Sequence, residues 1–215
     1  MANLTYNPGV FRVPDLTAAK AIILTPEGGQ STDERWVKET PYLSDLLGGT
    51  LAVGPNDLFV DFGCGVGRMA KALIEQYGCR VLGVDFSQDM RALAPVYVDS
   101  GRFSVVSGDV FADMVDHGLR VDGAISVWVL QHCLEVAKEV ALLHRAMRPG
   151  GRLGVVNTLG RVVPTLEKAW ASDGVDVRAL LAETFTTVVE DQLDEAVVGD
   201  RIAHGSFWGA YAKAA

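Results

Sequence analysis

Cysteine is scarce. Cys64, Cys79 and Cys133 are the only three in 215 residues, an odd number with no C-x-x-C pair. That argues against both a disulfide framework and a thiolate zinc site. No apolar run approaches the roughly 20 residues needed to span a bilayer, so no membrane association is expected. The opening M-A-N-L-T-Y-N-P-G lacks the basic-then-apolar layout of a signal peptide, and a cytoplasmic location is the expectation. Lysine and arginine never gather into a run, and the net charge is −8. Any nucleic acid would have to be held by a local basic patch against the overall field, which argues against such a partner. A small-molecule or peptide substrate fits the acidic balance. No internal repeat or low-complexity tract is present, and nothing in the sequence speaks to oligomeric state.

At 49% hydrophobic, the chain can bury a full core, and its length fits one domain with an appendage. Residues 58–68 read L-F-V-D-F-G-C-G-V-G-R: an apolar run, Asp61, then Gly63, Gly65 and Gly67 leading into a helical pattern. This is a strand, a glycine-rich turn and a helix. Alternating glycines suit a backbone that turns tightly and lets a ligand touch its N–H groups. A second strand, Val81–Val84, ends at Asp85, about where dinucleotide-type folds place an acid on ribose hydroxyls. A third, Phe103–Val106, is followed by Ser107, Gly108 and Asp109. In a parallel sheet Asp61, Asp85 and Asp109 would line one crevice at the carboxyl ends of the strands.

The pattern acid-x-Gly-x-Gly-x-Gly from Asp61 to Gly67 resembles the first motif of the class I S-adenosylmethionine-dependent methyltransferases. It departs from the dehydrogenase fingerprint: Gly67 comes two places after Gly65, and position 68 is Arg. The resemblance continues through Asp85, Asp109, Val121–His132 and Pro149-Gly150-Gly151, across roughly residues 55 to 215. It implies S-adenosyl-L-methionine as cofactor.

Ahead of this region, residues 1–50 are expected to form an N-terminal cap or lid, and 51–215 the cofactor-binding domain. Ser31 and Glu34 have capping-box spacing, and Trp36, Thr40, Leu43 and Leu47 recur as on an amphipathic helix; Pro41 is expected to restart it, with Thr40 as cap. The helix after the glycine turn should end at Gly78, and Ser87 should cap the next. The fourth strand spans Val121–Val127, a helix follows from about Leu134 to Met147, and the fifth strand covers Leu153–Asn157. Two further strand-like stretches, Thr184–Glu190 and Gly205–Ala212, suit an antiparallel hairpin. The expected fold is α/β: a doubly wound, mostly parallel seven-stranded Rossmann-like sheet with that hairpin at its C-terminal end.

The resemblance assigns cofactor contact to Gly63, Gly65 and Gly67, to Asp85 on the ribose, and to Asp109 and the Val110 N–H on adenine. Asp61 would fix the loop, Phe86 would pack on adenine, and Val127 would close the fourth strand at the cofactor. Asp109 has a rival reading as a helix N-cap, and Phe86 as plain core. Substrate contacts are expected from Trp128, Gln131, Asn157 and Arg161 at the ends of the fourth and fifth strands, and from Trp36 in the cap. A solvated loop arginine is the alternative for Arg161, and Arg68 should face the surface or the substrate. His132, at the carboxyl end of the fourth strand, is the candidate general base, against a packing role. No carboxylate cluster resembles the metal site of catechol-type methyltransferases, and no N/D-P-P-Y/W sequence ends the fourth strand, so no metal is expected. The expected activity is methyl transfer to an oxygen or nitrogen of a small molecule or peptide side group. The rivals are an NAD-dependent oxidoreductase of related fold and a non-catalytic cofactor-binding module.

Overall fold

A computed structural model describes residues 5–214; the first four residues of the expected cap, and Ala215, lie outside the described residues. A seven-stranded sheet runs in the order β3-β2-β1-β4-β5-β7-β6. Its members are β1 (Leu58–Phe62), β2 (Arg80–Val84), β3 (Phe103–Val106), β4 (Val121–Val127), β5 (Met147–Thr158), β6 (Thr186–Asp191) and β7 (Ser206–Ala212). The first five are parallel, and β7 runs antiparallel between β5 and β6. The chain builds β1, β2 and β3 outward in one direction, then returns to place β4 on the other side of β1. The carboxyl ends of β1 and β4 therefore diverge at the switch point where ligands bind in such sheets.

Helices cover both faces. On one side α5 (Gly108–Asp116), α6 (Val136–Ala146) and α7 (Val177–Thr184) bury Phe111, Val140, Leu143 and Leu181 against Val60, Leu82 and Val155. On the other, α2 (Thr32–Leu51), α3 (Arg68–Tyr77) and α4 (Gln88–Val98) bury Leu43, Leu47, Met69, Leu73 and Val98 against Phe59, Val81 and Val156. Strands enclosed on both faces need apolar side chains on both, hence their nearly unbroken hydrophobic runs.

The expected caps are present: the Ser31/Glu34 box opens α2, Gly78 ends α3 at φ +68°, and the Ser87 side chain accepts from Met90 N–H. Two expectations need correction. Pro41 does not restart the cap helix, and Thr40 is no cap. The helix runs unbroken to Leu51, with Thr40 Oγ1 donating to Trp36 O at 2.5 Å. Pro41 deprives only the carbonyl of Val37, a residue 76% exposed, while buried Leu43 and Leu47 pin the turn that follows. The stretch between the last two strands is not a hairpin loop either; it holds two short helices, α8 (Glu195–Val198) and α9 (Asp200–Gly205).

A smaller apolar cluster joins α1 (Leu16–Ile23) to the sheet side through Ala19, Leu24, Trp36, Val66 and Met90. Because Leu43, Leu47 and Leu51 sit in the sheet's own core, the second half of α2 belongs with the main body. The covering part of the chain comprises the arm at 5–13 and α1.

Candidate active site

At the end of β1 the chain turns through Gly63, at φ +74°, whose N–H donates to Val84 O at 2.7 Å. Gly65, at φ +53°, then donates its N–H to Asp85 Oδ2 at 2.8 Å, and Ser87 N–H donates to Asp85 Oδ1 at 2.8 Å. One carboxylate thus clasps the glycine turn to the start of α4. Each oxygen accepts one backbone N–H and retains a second lone pair. Asp85 is 9% exposed and lines a pocket of about 980 Å³. Burial raises its pKa, against the pull of the Ser87 and Gly65 N–H groups and Arg91.

Gly63, Gly65, Phe86, Val127, Trp128, Gln131 and His132 also line this pocket. A side chain at Gly65 would strike Ile23 of α1, 2.7 Å from its Cδ1, so the cap helix lies directly on the glycine turn. Trp128 holds φ +61°, a region costly for a bulky residue, and its indole Nε1 is buried without a partner. Asp109 and Val110 sit in the first turn of α5, both exposed and off the pocket wall, which Gly108 reaches instead. Ser107, not Asp109, caps α5, its Oγ accepting from Val110 N–H at 3.4 Å.

Other sequence candidates stand behind the wall. Asp61 is buried and accepts the Ala70 N–H at 3.1 Å; burial pushes it up to about 7, countered by that N–H and by Arg68. Gly67 starts α3, with Val98 filling the place a side chain would take. Arg68 faces neither the surface nor a substrate. It is buried over the Trp36 ring, 5.5 Å from the centroid, and burial pulls it down to about 10.

Three substrate expectations are likewise corrected. Trp36 is 7% exposed and spends its Nε1–H on Tyr97 Oη at 2.9 Å, packing α2 onto α4. Asn157 is fully buried; its Oδ1 accepts Gln131 N–H at 3.0 Å, tying β5 to the loop after β4. Arg161 is neither solvated nor in the pocket. It is buried, pairs with Asp173 at 2.9 Å and donates to the carbonyls of Leu130 and Cys133, so it braces the loop that carries His132.

His132 itself is on the wall. Its Nδ1 lies 2.7 Å from Val162 O, an atom that only accepts, so Nδ1 carries the proton and Nε2 is the unprotonated nitrogen, accepting from the Gln131 amide. Gln131 Nε2 lies 3.3 Å from that Nε2, and Gln131 Oε1 is buried without a partner. Burial, more than the charge of Arg161, draws the His132 pKa below its ordinary value. The ring is therefore neutral at neutral pH.

Several pocket residues carried no sequence signal of their role. Tyr6 and Phe11 from the arm and Trp170 from the loop after β5 stand on the wall without any periodicity to mark them. Glu139 of α6 is half-buried there, its pKa raised by burial. Arg35 also reaches the pocket, held by Glu39 (Nε to Oε1, 2.6 Å) and by Thr25 O at 2.5 Å. A charged pair at i,i+4 on the same helix face as Leu43 was the available clue to Arg35.

The buried carboxylate clasp, the two turn glycines on the wall and the size of the pocket suit a nucleoside-bearing cofactor together with a second small ligand. Residues 60–155 match the family model described as "Methyltransferase domain". Over 102 residues the chain is 29% identical to the ubiquinone biosynthesis O-methyltransferase of Bradyrhizobium diazoefficiens, covering 47% of this chain and 40% of that protein. The chain spans about two fifths of the length of such curated relatives. Among solved structures, the Burkholderia thailandensis 1,6-didemethyltoxoflavin-N1-methyltransferase, with 1,6-didemethyltoxoflavin and S-adenosylhomocysteine bound, superposes with a TM-score of 0.63. It is 23% identical, and the match covers 86% of this chain and 80% of that one. The cyclase SpnF shares the fold as well, with a TM-score of 0.62 and 17% identity over 81% of this chain and 80% of that one. The fold alone therefore leaves the reaction open. Residues 60–155 are thus a methyltransferase domain by that match, and the sheet around them has the fold of the class I S-adenosylmethionine-dependent methyltransferases, whose cofactor is S-adenosylmethionine.

Proposed function

We propose that the chain transfers a methyl group from S-adenosylmethionine to an oxygen or nitrogen of a small molecule. The observation that carries this reading is the meeting, on one pocket wall, of the Gly65–Asp85 clasp and a neutral His132 whose Nε2 is unprotonated. Asp85 would accept from the ribose hydroxyls through its remaining lone pairs. Gly63, Gly65 and Val127 would line the cofactor's path across the sheet edge, with Phe86 and Gly108 beside its base, while Asp109 and Val110 stand off the wall. Arg35 would meet the carboxylate of its amino-acid end, since Glu39 and Thr25 leave some guanidinium donors free. The arm and α1 would serve as the cap that covers the bound ligands.

The cofactor supplies an activated methyl carbon on a sulfonium, so the protein's share is alignment and, where the acceptor must lose a proton, a base. His132 Nε2 takes that proton. Once charged, the ring would need an acceptor beside Nε2, and a turn of the Gln131 amide brings its unpartnered Oε1 there. Trp128 and Gln131 would flank the acceptor. Peptide acceptors fit less well, because the arm and the loop after β5 meet over the pocket.

The test is incubation of the chain with methyl-labelled S-adenosylmethionine and a size-fractionated metabolite extract. Label should enter the low-mass fraction, and His132→Ala should cut transfer by roughly 10²–10⁴-fold with cofactor affinity retained. Label confined to macromolecules, or a loss under about fivefold in His132→Ala, far below the usual scale for a general base, would count against it.

A further inference from the structure

This inference rests on the reading that the acceptor stands at His132. Two segments outside the sheet meet above the pocket: the arm at 5–13 and the loop at 159–176. Asn7 N–H donates to Pro164 O at 2.9 Å, Leu166 N–H donates to Thr5 O at 2.9 Å, and Tyr6 pairs with Thr165 in an isolated bridge. The arm is also fixed at its other end, where Ser87 Oγ donates to Phe11 O at 3.0 Å. Together these segments carry Tyr6, Phe11 and Trp170 onto the wall beside His132 and Phe86.

The five rings form one surface. The centroids of Phe11 and His132 are 5.7 Å apart, those of His132 and Trp170 5.3 Å, and those of Phe11 and Phe86 5.3 Å. Trp170 is 45% exposed and Phe86 50% exposed, with Leu134 at 49% on the same pocket. Large apolar faces left to water at the rim of a concave site mark where a ligand covers them. An aliphatic ligand would be served by any apolar wall. A wall built of ring faces and edges adds a preference for another ring, roughly two- to tenfold per aromatic contact beyond the area it buries.

We propose that the methyl acceptor is a flat aromatic or heteroaromatic small molecule, held against Phe11, His132 and Trp170 with its hydroxyl or N–H at His132 Nε2. The arm and the loop after β5 thereby set acceptor specificity, while the sheet edge sets cofactor specificity.

Calorimetric titration of the full chain, alone and with S-adenosylhomocysteine, tests this with 2-naphthol and 8-hydroxyquinoline as probes and decahydro-2-naphthol as the saturated comparison. The aromatic probes should bind, and the saturated alcohol should bind at least about fivefold more weakly. Phe11→Ala and Trp170→Ala should each weaken the aromatic probes by roughly two- to tenfold, with Trp170→Phe retaining most of the affinity. Affinity for S-adenosylhomocysteine should stay unchanged in the two Trp170 variants, which also reports that they fold; Phe11→Ala, whose ring packs on Phe86, is checked for folding by its thermal melt instead. Equal binding of the saturated alcohol overturns the proposal, as does binding of neither aromatic probe or indifference to Phe11→Ala and Trp170→Ala. Aromatic binding without any binding of S-adenosylhomocysteine would support the ring wall and remove the methyl-transfer reading instead.

Discussion

Asp61 and Asp85 close neighbouring strands, yet their surroundings give them different work. Asp85 touches the pocket and ties the glycine turn to α4 with both oxygens, whereas Asp61 is sealed beneath α3 with the Ala70 N–H as its bond. Their position at the strand ends was legible from the apolar runs that precede them. Their different work was expected only from the family resemblance, which gave Asp61 the loop and Asp85 the ribose; the residues alone do not say which way each carboxylate turns. Asp61 carries a pH signature. Burial holds it at about 7, above its ordinary 3.8, so the folded chain keeps that proton more tightly than the unfolded chain does. Its contribution to stability is full below pH 3.8 and is lost as pH rises towards about 7. Thermal unfolding across that window should show the melting temperature of the wild type falling relative to Asp61→Asn, whose amide oxygen still accepts from Ala70. Parallel curves would mean that Asp61 is ionised throughout. Arg161, Asn157 and Trp36 illustrate the opposite limit: each has the chemistry of a ligand contact, and each spends it inside the protein.

At the level of elements, the strands and the helices between them could be read from hydrophobic period and caps, since those signals are local. Continuity of α2 through Pro41 could not, because the burial of Leu43 and Leu47 that enforces it is a long-range effect. The helices at 195–198 and 200–205 were hidden for a similar reason, being too short to show a period. The arm and the loop at 159–176 have no period at all, so the aromatic wall they build was invisible in sequence. The same lack of regular structure makes the cap the element most responsive to ligand. Ile23 rests on Gly65 and the arm is held by few backbone bonds, so amides of residues 5–25 should exchange more slowly with S-adenosylhomocysteine bound. If they open only when the ligand leaves, the slowing should reach about a hundredfold at a ligand concentration of 100 times Kd. Unchanged exchange there, with slowing confined to residues 63–87, would make the cap a static wall.

For the whole molecule, the reversal of strand order between β1 and β4 creates the cleft, and the covering segments deepen it into a half-open pocket of about 980 Å³. The net charge of −8 plays no visible part in that cleft, where burial rather than long-range field governs the carboxylates. Because the same architecture carries more than one reaction, the decisive question is what the sheet edge holds. Calorimetric titration with S-adenosylhomocysteine, with NAD as the control, answers it. S-adenosylhomocysteine should bind at one site per chain and NAD should not bind, and Asp85→Ala should cost about 1.5–3 kcal/mol of that affinity, the range for a hydrogen bond to a charged group. Binding of NAD without S-adenosylhomocysteine, or an affinity for S-adenosylhomocysteine that a folded Asp85→Ala chain leaves unchanged, would contradict the assignment of this pocket.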